Sequence, residues 1–238
     1  MRCLRYLCFM AILAGSLVIV PVTQSEELSS TIFTRKELDA FIQSYYLDPR
    51  PELVARAIDV MTYENVITNE EGYLYRGFFL EVYASNPKRR AEWEAHLELK
   101  SEPTRSALLY ETYIYKKNPE GGLGMPNPSE QRNDKAWGAF FATGKGRFIN
   151  IVINDMMHVD EREDRALFTT GAAAKLSLAN YARLQPKVST LLKNERNASE
   201  GRKKQLISDV LTLGPDKIKE ETDAIIAKQK EQGKWLKP

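Results

Sequence analysis

Cysteine is nearly absent from this chain, and its placement excludes more than its number. The 238 residues hold two, Cys3 and Cys8, both inside an N-terminal segment with the marks of an export signal. In "MRCLRYLCFMAILAGSLVIVPVTQS", Arg2 and Arg5 precede an uncharged, mostly apolar run from Tyr6 to Val22, and Thr23, Gln24 and Ser25 lead out to Glu26 and Glu27. A positive start, an apolar middle and small residues at the exit make a secretory signal. Cleavage near Ser25 removes both thiols, and with them disulfides, thiolate nucleophiles and cysteine metal ligands. An exported protein without disulfides rests on its core. The alternative is an inner-membrane anchor through residues 6–22, slightly shorter than the roughly 20 residues that span a bilayer comfortably. "LAGS" at 13–16 has Ser16 where a lipoprotein signal needs cysteine, which argues against lipidation.

Other reactive groups are also scarce. There are two histidines, His96 and His158. Glu92 and His96 share a helix face, and Asp155, His158 and Glu161 can cluster, but the doubled Glu-x-x-His pattern of metal-binding bundles is missing. A solvated helix face and an acidic turn, "HVDERED", account for these residues, so no metal site is expected. G-x-S-x-G does not occur, which removes the usual serine elbow. "AFFATGKGRF", 139–148, approaches a phosphate-binding loop, but Gly138 and Gly144 are separated by five residues and Gly146 stands where a Ser or Thr is required. The stretch reads as a turn between helices, with Phe140, Phe141 and Phe148 packing, and no cofactor is expected. A carboxylate pair leaves no sequence signature, so an envelope enzyme using carboxylates near residues 118–134 remains the alternative to a non-enzymatic protein. No catalytic residue is assigned.

Net charge is the last scarcity. Without Arg2 and Arg5 the chain carries 32 basic and 32 acidic residues, which withdraws electrostatic support for nucleic-acid binding. The balance is uneven. Residues 26–182 hold 19 basic and 24 acidic side chains, and residues 183–238 hold 13 and 8. A basic tail on an acidic body can meet an acidic partner or anionic lipid, or simply complement its own other half.

What is abundant is helical periodicity. Thr34 and Glu37 form a capping box, followed by Leu38, Phe41, Ile42 and Tyr45 on one face. Pro51 suits a first helical turn, and Val54, Ala57, Ile58 and Met61 repeat the spacing. Phe41, Tyr45 and Pro49 recur as Phe79, Tyr83 and Pro87, 38 residues on, with looser echoes at Asn118-Pro119, Gly144-Lys145-Gly146 and Gln185-Pro186. A period near 38 lies in the range of helical repeats. Residues 118–134, rich in Pro and Gly, read as a long loop, followed by helices near 134–143, 146–157, 165–185 and 187–195. The alanines at 172, 173, 174, 179 and 182 place their helix centrally. The tyrosine-rich stretches 73–83 and 110–115 read as core more than groove, although tyrosine also lines binding surfaces.

The resulting expectation is an all-α protein of irregular stacked helical hairpins, solenoid-like or an orthogonal bundle. Its parts are a signal peptide at 1–25, a hairpin domain at 26–198 and a basic C-terminal hairpin or arm at 199–238. Candidate ligand or partner contacts are Lys145 and Arg147 beside the 144–146 turn, Tyr113 and Tyr115, and Lys203 and Lys204 in the tail. Three phrases, "YYLDPRPELVARAIDVM" (45–61), "AFFATG" (139–144) and "AAAKLSLANYARLQPKV" (172–188), resemble a family of exported, all-helical bacterial proteins without an assigned activity. The resemblance spans roughly residues 40–190 and implies export and helical hairpins, with no catalytic residues. A general likeness to tetratricopeptide-type repeats rests on repeat length and turn prolines, without that family's Trp-Leu-Gly-Tyr signature. The expected role is a periplasmic or secreted binding or scaffold protein with a protein or envelope partner and no nucleic acid. Peripheral contact with anionic membrane falls to the C-terminal arm.

Overall fold

The first described helix opens on its capping box. The Thr34 backbone N–H donates to Glu37 Oε2 at 2.6 Å, and the Glu37 N–H donates to Thr34 Oγ1 at 3.3 Å. The computed structural model describes residues 34–68, 72–118 and 123–235. The segment read as export signal or anchor lies outside them. Among the described residues there are eleven α-helices and no strand, so the fold is all-α.

Helix α1 (Arg35–Ser44) buries Leu38, Phe41 and Ile42, as its spacing requires. The chain then reaches Arg50 at φ −122°, ψ 76°, and Pro51 starts a 3-10 turn leading into α2 (Val54–Tyr63). After α3 (Gly72–Ser85), Asn86 adopts nearly the same conformation, φ −125°, ψ 66°, and Pro87 starts a 3-10 turn into α4 (Arg90–Glu98). The repeated turn is therefore present, but its register differs from the sequence reading. Pro51, not Pro49, stands where Pro87 stands, because a proline ring fits the first position of the turn, where no N–H is needed.

Helix α5 (Thr104–Lys117) leads to the long loop, which is shorter than its composition suggests. Helix α6 (Glu130–Thr143) begins four residues before position 134, the end of the loop as read from the sequence. Ser129 is the cause. Its hydroxyl accepts the Arg132 N–H at 3.1 Å and satisfies a free donor of the first turn. The polar run "EQRND" is thus helix, and its Asn133 is buried. Gly144 ends α6 in the left-handed region (φ 63°, ψ 13°), Lys145 is extended, and α7 (Gly146–Met156) follows. Phe140, Phe141 and Phe148 are all buried, so "AFFATGKGRF" is an interhelical turn. The remaining helices are α8 (Arg165–Leu184), α9 (Pro186–Ala198), α10 (Gly201–Thr212) and α11 (Gly214–Glu231).

Two helices organise the packing. Helix α8 touches α6, α7, α9, α10 and α11, and buries Ala172, Ala174 and Ala179. The most extensive pairing is α3 on α6, an approach made through glycine. A methyl group on Gly77 would overlap the Lys135 carbonyl, and one on Gly138 would overlap the Leu74 carbonyl. The two backbones therefore touch where they cross. Because α1 and α3 both reach across to α6, contacts are not confined to neighbouring hairpins as in a solenoid. The arrangement is a bundle around α6 and α8. Leu206, Ile207, Val210 and Ile218 of the C-terminal hairpin join the same apolar cluster as Leu38 and Phe78. No helix among the described residues is long and apolar enough to cross a membrane.

Candidate functional site

Burying a charge is costly unless it is paired. Glu111 on α5 is fully buried and is held from two sides. Arg76 of α3 donates from Nε to its Oε1 at 2.8 Å, and Lys135 of α6 places Nζ 2.5 Å from its Oε2. Lys135 is 2% exposed, and burial pulls its ammonium below the usual lysine range against the pull of Glu111. The cluster ties α3, α5 and α6 together close to the Gly77–Gly138 crossing.

Arg76 carries this cluster to the surface. Its guanidinium lies 4.8 Å from the Tyr73 ring centre and 5.9 Å from that of Tyr110. Tyr110 stacks with Tyr113 at 6.3 Å, and the Lys117 ammonium sits 5.5 Å over the Tyr113 ring. Residues 110, 113 and 117 fall at i, i+3 and i+7, so they share the outer face of α5, whereas Leu108, Glu111 and Thr112 face inward. Tyr110 and Tyr113 are 50% and 52% exposed. Two large stacked rings left half in water, each beside a cation, form an amphipathic surface of the type that protein interfaces favour.

The six sequence candidates fall in different places. Tyr113 belongs to this face. Tyr115 does not: its hydroxyl accepts from Arg90 at 2.7 Å, and its ring meets Tyr83 edge-on at 5.6 Å. The Tyr83 hydroxyl donates to Glu94, and burial followed by that bond pushes Tyr83 above the usual tyrosine range. Tyr115 therefore serves an internal polar cluster. Lys145 is exposed at the start of α7. Arg147 lies over the Phe148 ring and 3.3 Å from Glu81, whose carboxyl is raised by burial against the pull of Arg147 and Lys145. Lys203 pairs with Glu195 at 2.5 Å, and Lys204 is exposed on α10. Arg76, Glu111 and Lys135 were not singled out from sequence, and Tyr110 only as part of the tyrosine-rich stretch 110–115. The Tyr110–Tyr113–Lys117 spacing was the one available signal.

Near the long loop, Asp155 of α7 is 1% exposed. Arg132 stands 3.6 Å from its Oδ1, while Oδ2 accepts no hydrogen bond from the described residues. Burial raises its carboxyl above the usual aspartate range, with Arg132 and His158 opposing. Glu92 and His96 part company: Glu92 pairs with Arg89 at 3.0 Å, and His96 Nε2 lies 2.8 Å from Asp59, which Lys100 also reaches at 2.5 Å. Among the described residues no group of three or more His, Asp or Glu is placed to hold a metal ion. Comparison of the chain with family models, with curated proteins and with solved structures finds no match.

Proposed function

We propose that this chain is an exported, non-enzymatic helical scaffold that docks a partner protein on the α3–α5 tyrosine face. The observation that carries the reading is the Tyr110–Tyr113 stack, half exposed and fixed to the interior through Arg76 and Glu111. Tyrosine rings have few rotatable bonds, so they offer contact area at a small cost in side-chain entropy. Arg76 and Lys117 favour a partner segment that carries carboxylates beside apolar groups. Export rests on the N-terminal segment, and the mature protein is expected in the periplasm or secreted medium. In co-purification from an envelope extract, a partner held by the wild-type protein should be lost with Tyr110→Ala/Tyr113→Ala at unchanged melting temperature. Equal recovery by both proteins would refute the docking face.

A second reading is an envelope enzyme, favoured by one observation. Glu111 and Asp155 are both buried against α6, which opens directly after the loop ending at Ser129. It requires a hydrolytic activity on envelope material that Asp155→Asn abolishes. Membrane contact through 199–238 has less support, because Arg202, Lys203 and Lys234 are each matched by a carboxylate.

A further inference from the structure

The ends of α8 and α10, the middle of α9 and the start of α11 surround a cavity of about 280 Å³. Three cations line it, Arg183 from α8 and Lys193 and Arg196 from α9, together with the hydroxyl-bearing Ser189 and Thr212 and the backbone of Gly214. No carboxylate is among the lining residues. Several cations on the neighbouring helix faces are, by contrast, paired. Lys175 is matched by Asp209, Arg202 by Asp160, Lys203 by Glu195 and Lys219 by Asp223. Among the described residues, Arg183, Lys193 and Arg196 have no such partner. Arg196 donates to the neighbouring Asn197 side chain at 3.4 Å, and that is its one hydrogen bond there.

The turn between α10 and α11 leaves room for one of these cations. Gly214 is left-handed (φ 75°), and a methyl group there would overlap the Arg183 guanidinium, so the guanidinium sits directly against the Gly214 backbone. Helix ends do not cancel the charge. Two C-termini at roughly −0.5 each and one N-terminus at roughly +0.5 leave the three cations a surplus of roughly +2.5.

We infer that this cavity binds the phosphate group of a small phosphate ester. Two arginine forks, a lysine and the Ser189 hydroxyl supply more donors than the two oxygens of a carboxylate can use, while the Thr212 hydroxyl donates to the Ser208 carbonyl at 2.8 Å; guanidinium matches phosphate geometry. The volume lies just below the range of drug-sized ligand pockets, about 300 to 1,000 Å³, so it suits a head-group-sized ester. The site is separate from the tyrosine face and stands or falls independently of it.

The test has two arms that distinguish a free ester from a phospholipid head group. In the first, glycerol 3-phosphate is titrated calorimetrically into the purified protein. In the second, vesicles of phosphatidylcholine with and without phosphatidic acid are sedimented with it. Binding in either arm tighter than about 1 mM is expected. Arg183→Gln or Arg196→Gln should weaken it about tenfold or more, since each removes charge-assisted hydrogen bonds. Lys204→Gln and Lys228→Gln, exposed cations on α10 and α11, should change it less than about twofold. Tyr110→Ala/Tyr113→Ala should leave it unchanged. Binding in neither arm overturns the assignment, as does a loss with Lys204→Gln equal to that with Arg183→Gln. All these side chains are partly or fully exposed, and melting temperatures confirm that each variant folds.

Discussion

Replacing Lys135 by methionine removes one arm of the buried cluster and leaves Glu111 with Arg76 alone. At the 2.5 Å separation of Nζ and Oε2, the gross attraction at an effective dielectric of 20 is about 6–7 kcal/mol. Desolvation of both groups offsets much of it, and breaking such a pair by deleting one partner costs about 3–5 kcal/mol. Against a usual domain stability of about 5–15 kcal/mol, Lys135→Met should remove a large fraction. The double variant Lys135→Met/Glu111→Leu removes the cluster's carboxylate, and Arg76, 18% exposed, can turn to water. It should recover to within about 2 kcal/mol of wild type. Urea unfolding followed by tryptophan fluorescence measures both, because Trp93, Trp137 and Trp235 are all buried. A single variant as stable as wild type, or a double variant no better than the single, would refute this account of the cluster.

Three further outcomes follow from the packing and the charges. Gly138→Ala should destabilise by about 2 kcal/mol or more in urea, although alanine is the better helix former by about 1 kcal/mol, because α3 and α6 must part. The folded-state carboxyl of Asp155 is raised above its unfolded value near 3.8, so the folded state binds the extra proton and stability falls as pH rises through that window. Asp155→Asn should therefore gain stability relative to wild type at neutral pH and lose that advantage near pH ~4, read from melting temperatures across the range. Ser129→Ala should cost about 1 kcal/mol and speed amide exchange in the first turn of α6, while α8 stays protected.

The sequence made local structure legible where one residue type had one physical job. Thr34 with Glu37, Pro51 and Gly144 each fix a helix end through backbone chemistry alone, and those ends lie where they were expected. The start of α6 was missed because Pro and Gly dominate residues 118–128 while the cap is a single serine. The alanines of α8 correctly marked a central helix. The closer approach, Gly77 on Lys135 and Gly138 on Leu74, was invisible because each glycine is an ordinary helical residue until the other helix is known. The same holds for the candidate site. Glu111 and Lys135 are 24 positions apart on different helices, so no periodicity links them. Tyr113 and Tyr115 were named together, within a stretch read as core more than groove; Tyr113 is exposed, while Tyr115, two residues on, points the other way to Arg90, a distinction that helix phase alone carries once the boundaries are set.

The central claim is that the Tyr110–Tyr113 face, anchored by Arg76 to Glu111, is where a partner docks. The most direct measurement places a photo-crosslinking residue at position 113 in living cells, with the exposed positions 36 and 204 as controls elsewhere on the chain. The account expects a discrete adduct from position 113 that Arg76→Ala diminishes, and none of that mass from 36 or 204. No adduct from 113, or the same adduct from all three positions, would contradict it.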